Sequence, residues 1–96
     1  MLTHSTDSGK TLVTFRIPRH IWADTVHLVG EFNQWNPASL PMYHSPHNGW
    51  EITLALMSGK SYQYRYLLDS AQWVNDCNAD HYVANPFGGE NSVVDT

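Results

Sequence analysis

The chain has 96 residues, 42% of them apolar, with five Lys and Arg against nine Asp and Glu and a formal charge of -4 at neutral pH. A chain this short closes one modest core, which excludes a second lobe, and without a Lys/Arg cluster neither nucleic acid nor an anionic membrane is expected as a partner. The four Trp and five Tyr carry polar tips that need a partner or water, so some of these rings are expected at the surface.

Residues 1–10 are small and polar with no hydrophobic period, and are expected as a flexible N-terminal tail to a single domain over residues 11–96. They lack the basic-then-apolar layout of a signal peptide, and no apolar run approaches the length of a bilayer span. The single cysteine, Cys77, can form no internal disulfide. Together these features predict a soluble cytoplasmic protein.

In TLVTFRIP, Val13, Phe15 and Ile17 alternate with Thr14 and Arg16, the period of a strand with one buried face, and Pro18 ends it. HIWAD has room for one helical turn. TVHLVG repeats the alternation with Val26 and Leu28 inward and Thr25 and His27 outward, and Gly30 closes the strand before the loop GEFNQWNP. PMYHSPHNG carries two prolines and Asn48-Gly49, a hairpin signal. WEITLAL sets Trp50, Ile52, Leu54 and Leu56 on one face, and Ser58-Gly59-Lys60 turns the chain into SYQYRYLLD. There Tyr62, Tyr64, Tyr66 and Leu68 share a face opposite Gln63, Arg65 and Leu67. A turn at Asp69, Ser70 and Ala71 leads into QWV, NDCNADHYVANPFGG reads as a long ordered loop, and ENSVVDT as a closing strand. Short strands separated by turn signals predict an all-β antiparallel sandwich of the immunoglobulin-like kind.

Trp35 lies among Asn33, Gln34, Asn36 and Pro37, surface and turn residues that favour holding one ring face outward rather than folding it over the core edge. Trp73 follows a turn and shares the outer face with Arg65 and Gln63. Two indoles, a guanidinium and amides suit a carbohydrate, whose C–H faces pack on flat rings and whose hydroxyls take hydrogen bonds. Trp50, in phase with Ile52 and Leu54, and Trp22 are expected to be structural. His44 and His47 sit in a proline-containing turn without a third ligand, so no metal site is expected. Asp69, Asp76 and Asp80 are expected as loop formers, not as the facing carboxyl pair of a glycosidase. Cys77 has no paired base, so no catalytic residue and no cofactor is expected.

The ordered blocks VHLVGEFNQWNPASLPM, GWEITLAL, YQYRYLLDSAQWVND and YVANPFGGENSVV resemble carbohydrate-binding module family 48. That family includes the early-set N-terminal domains of isoamylases and glycogen branching enzymes and the glycogen-binding module of the AMP-activated protein kinase β subunit. The resemblance runs from about Thr11 to the end. It implies an immunoglobulin-like early-set sandwich that binds α-1,4-glucans such as glycogen, starch or maltodextrin without catalysis. The family's two glucan-embracing tryptophans fall on Trp35 and Trp73, its lysine on Arg65, its inserting leucine on Phe87 and its asparagine on Asn91. Its threonine position is Gly89, where the hydroxyl is lost. The substitutions at Phe87 and Gly89 also leave open a second function, docking on a glycogen-metabolising enzyme with weak or no sugar binding.

Overall fold

The computed structural model of the chain describes residues 2–7, 9–18, 21, 23–46, 49–77, 79–86 and 88–96. Two antiparallel sheets pack as an immunoglobulin-like early-set β-sandwich. One sheet orders β1 (Leu2–Asp7), β2 (Lys10–Ile17), β5 (Gly49–Met57) and β4 (Tyr43–Ser45) as β1-β2-β5-β4. The other orders β3 (Val26–Gly30), β6 (Ser61–Leu68), β9 (Glu90–Asp95) and β8 (His81–Ala84) as β3-β6-β9-β8, with β7 (Gln72–Val74) also pairing β6.

The alternation in the sequence decides the facing. Val13, Phe15 and Ile17 of β2, Val26 and Leu28 of β3, Trp50 and Leu56 of β5, and Tyr64, Tyr66 and Leu68 of β6 form one buried cluster. Phe15 meets the Tyr64 ring edge-on at 5.0 Å between centroids, a favoured aromatic arrangement. Tyr43 to Ser45 pairs back on β5, so the hairpin expected around Asn48-Gly49 forms, although His47 and Asn48 lie outside the described residues.

Two expectations are corrected. Leu2–Asp7 is strand β1, antiparallel to β2, not a tail. The stretch read as one long loop after Val74 contains β8, antiparallel to β9. Both are edge strands held by main-chain hydrogen bonds. The polar LTHSTD supplies these as well as an apolar sequence would, and HYVA is too short to show a period, so hydrophobic period marks neither strand. Of the HIWAD segment, His20 and Trp22 lie outside the described residues, and Ile21, Ala23 and Asp24 are not helical.

Strand β6 organises the second sheet. One edge pairs β3, while the other is shared, Ser61 to Tyr64 pairing β9 and Tyr66 to Leu68 pairing β7. The ladder therefore changes partner at Arg65. On the core side of that change lies Asp76, 3% exposed, whose Oδ2 accepts the hydroxyls of Tyr64 at 2.8 Å and Tyr66 at 3.0 Å. The Asp76 N–H donates to Ser92 Oγ at 2.9 Å, and its carbonyl accepts the Tyr82 hydroxyl. One residue thus ties β6, β8 and β9 together where the sheet is discontinuous. Asp76, expected as a loop former, lies between strands but is buried, because two buried tyrosines need an acceptor.

Burial first, and the Asp76 carboxylate second, hold the Tyr64 and Tyr66 hydroxyls protonated well above the usual tyrosine range. The unfolded chain ionises them near pH 10, so the stability they contribute is complete below about pH 10 and falls above it, by up to ~1.4 kcal/mol per pH unit for each. Urea denaturation from about pH 8 to about pH 11 is expected to show this loss, and Tyr64→Phe to reduce its slope. A slope unchanged by the substitution would mean that the hydroxyl ionises equally in both states.

Candidate functional site

On β6 the residues out of phase with the core are Gln63, Arg65 and Leu67. Register sets Leu67 opposite both His27 of β3 and Trp73 of β7, Arg65 opposite Val29, and Gln63 opposite Val93. Arg65 is therefore the diagonal neighbour of Trp73, and its Cζ lies 5.9 Å from the indole centroid, within cation–π range. Val29, Leu67 and Val93 are buried although they lie on this outer face.

Trp35 reaches the same surface from the loop after β3. Glu31–Asn33 makes one 3-10 turn, after which Gln34 and Trp35 both take left-handed backbone angles, φ 54° and 57°. Each such angle costs a residue with a Cβ about 1–2 kcal/mol, so the neighbours must fix it. Asn33 does much of this: its Oδ1 accepts the Gly30 N–H at 3.0 Å, and its Nδ2 donates to Asn36 O at 3.1 Å and Ser39 Oγ at 2.9 Å. The Trp35 N–H closes the turn on Gly30 O at 2.9 Å. At Gly30 itself, strand and loop leave no room for a side chain, since a Cβ there would lie 2.7 Å from Gln63 O and 2.8 Å from Tyr64 Cβ.

Trp73 is set by the turn before it. Asp69 and Ser70 both have positive φ, the sign pattern of a type I′ hairpin turn. Asp69 Oδ1 accepts the N–H groups of Asp24 at 2.6 Å and Thr25 at 3.0 Å, which moors this turn to the start of β3.

The two indoles are 37% exposed at Trp35 and 42% at Trp73, which rules out a buried role for either. Together with Arg65, Gln63 and Asn91 they line a cleft of about 560 Å³. Four of the five residues singled out in the sequence, Trp35, Arg65, Trp73 and Asn91, meet there, and the fifth, Phe87, lies outside the described residues. Glu31, Asn85 and Pro86 also line the cleft and were not anticipated. Glu31 Oε1 accepts the Gln63 N–H at 2.6 Å, capping β6 just beyond the end of β3 pairing. Asn85 occupies space beside Gly89, where an added Cβ would lie 3.3 Å from its Nδ2. Both Asn85 and Pro86 fall within the stretch read as one long loop, where nothing local showed which way the amide points.

The carboxylates near Trp73 have other partners. Asp69 holds the start of β3, Asp76 takes the tyrosine hydroxyls, and Asp80 Oδ2 accepts the Asp95 N–H at 2.7 Å. His44 lies against the Trp50 ring at 4.8 Å, and His47 is outside the described residues. Flat apolar rings flanked by amide, guanidinium and carboxylate groups offer an amphipathic ligand both stacking and hydrogen bonds. Among the described residues, no helix is long and apolar enough to cross a membrane.

Residues 19–88 match the carbohydrate-binding module 48 family (isoamylase N-terminal domain). No curated protein matches the chain.

Proposed function

From the premise that the chain belongs to the carbohydrate-binding module 48 family, we propose that it binds α-1,4-linked glucan without cleaving it, Trp35 and Trp73 stacking on the sugar. The observation that carries this reading is the convergence of both half-exposed indoles with Arg65 and Asn91 on one cleft. The family is one of binding modules rather than catalytic domains. Phe87 is assigned to the glucan through the resemblance alone, as the position of the family's inserting leucine.

Covering about 60–80 Å² of each indole at ~25 cal/mol/Å² contributes on the order of 3–4 kcal/mol, with ~1 kcal/mol for each net hydrogen bond. After the cost of association, this gives a Kd of roughly 10 μM to 1 mM. Maltoheptaose or β-cyclodextrin titrated into the labelled protein is expected to shift the indole NMR signals of Trp35 and Trp73 and the backbone amide signals of Trp35, Trp73 and Asn91 in that range.

Docking on a glycogen-metabolising enzyme is the second reading, and a different surface favours it. On the outer face of the β1-β2-β5-β4 sheet, Leu12 is 45% exposed opposite exposed Ala55, and Met57 is 50% exposed opposite Lys10. Silence of the cleft signals at millimolar glucan would abandon the first reading for this one.

A further inference from the structure

The amides of the cleft form a directed chain. The Gly89 N–H donates to Asn85 Oδ1 at 3.1 Å, Asn85 Nδ2 donates to Asn91 Oδ1 at 3.3 Å, and Asn91 Nδ2 donates to Gln63 Oε1 at 3.0 Å. A side-chain amide can turn either end toward a partner, but a backbone N–H can only donate. The Gly89 N–H therefore fixes which end of Asn85 faces it, and each link fixes the next. At the end of the relay the Gln63 oxygen is occupied and its Nε2 faces no hydrogen-bond partner among the described residues. Arg65 stands beside it on β6 with its Nε buried and unpartnered, and a guanidinium has no acceptor.

Resting on the glucan reading above, we propose that Gln63 is a specificity-determining residue: the relay from Gly89 turns its oxygen to Asn91 and leaves its Nε2 donor as the end offered to the ligand, so that with Arg65 it selects a ligand oxygen able to accept two hydrogen bonds. A sugar hydroxyl meets this demand and keeps its own proton, for which Glu31 is the carboxylate acceptor lining the same cleft. A ligand presenting a donor alone at that point would leave both groups unpaired, and unpaired polar groups discriminate far more strongly than lost apolar contact. The relay also gives Gly89 a use, since a Cβ there would lie 3.3 Å from Asn85 Nδ2 and crowd the first amide of the chain.

The test uses the whole chain with maltoheptaose as probe. In the wild type, the Gln63 Nε2 protons are expected to shift at saturation while those of Asn91 Nδ2, already bonded, hold their positions. Gln63→Glu keeps the shape and the bond from Asn91 but replaces the donors with an acceptor, and is expected to weaken binding roughly tenfold or more. Asn85→Asp can still accept from Gly89 but cannot donate to Asn91, and is expected to weaken binding about three- to fivefold, with the double variant about as weak as Gln63→Glu alone. Binding by the wild type with unmoved Gln63 amide protons, binding by folded Gln63→Glu within about twofold of wild type, or fully additive losses would each overturn the proposal. No shift anywhere in the wild type at about 10 mM sugar would overturn the glucan reading and this inference with it.

Discussion

Trp73→Ala is expected to weaken glucan binding at least ~30-fold, to the edge of detection. About 2 kcal/mol of stacking surface leaves with the indole, and a second loss follows, because the ring also holds the Arg65 guanidinium at 5.9 Å. Freed of that ring, Arg65 regains rotamers that it must give up again to meet a hydroxyl. The fold is expected to lose little: the ring is 42% exposed and β7 is a three-residue strand paired with β6 alone. Calorimetric titration, with Tm measured on the same sample, separates the two effects. An affinity close to wild type in a folded variant would remove Trp73 from the site and end the stacking account.

Gly30→Ala is expected to have the largest effect on the fold, about 1–3 kcal/mol or more, and to cost glucan binding as well. The backbone angle is not the reason, since φ there is -171°, extended and open to any residue. The reason is contact. The added methyl would lie 2.7 Å from Gln63 O, 2.8 Å from Tyr64 Cβ and 2.8 Å from Phe32 Cζ. Phe32 can turn aside, but Gln63 O and Tyr64 Cβ belong to the central strand, so β3 must move off it. That movement strains the Gly30 to Tyr64 pairing and shifts both anchors of the Trp35 loop, the Gly30 N–H bonded to Asn33 and the Gly30 oxygen bonded to Trp35. Urea midpoints and the maltoheptaose titration report the two consequences, and a midpoint equal to wild type would show that the strands give way freely.

How much of this could be read beforehand depended on where the information lies. Period two placed Phe15, Leu28, Tyr64 and Trp50 in the core and Gln63 and Arg65 outside it, because strand parity is a local property. The sequence setting of Trp35 showed its exposure, since few of its neighbours have reason to be buried. Strand β1 was illegible because main-chain pairing at a sheet edge leaves no apolar signature in LTHSTD, and β8 because four residues, HYVA, are too few to show a period. That Asp76 is buried was missed for a different reason. Its burial follows from Tyr64 and Tyr66 converging on it from β6, and although two inward tyrosines announce the need for an acceptor, ten residues of chain give no hint of which group supplies it. Asn85 was missed in the same way, its role arising only when the loop folds back on Gly89.

The left-handed pair Gln34 and Trp35 has a kinetic consequence. A ring already raised on a fixed turn requires no rearrangement before it meets a sugar, so association is expected to run at the ordinary rate for an open site, on the order of 10⁶–10⁷ M⁻¹s⁻¹. Combined with a Kd near ~100 μM, this gives a bound lifetime of roughly a millisecond to ten milliseconds. A single contact of that duration anchors nothing. On the proposed glucan reading, the module is expected to release and rebind along a polymer chain many times within a second, the pre-set turn keeping association fast and the weak affinity keeping each contact short.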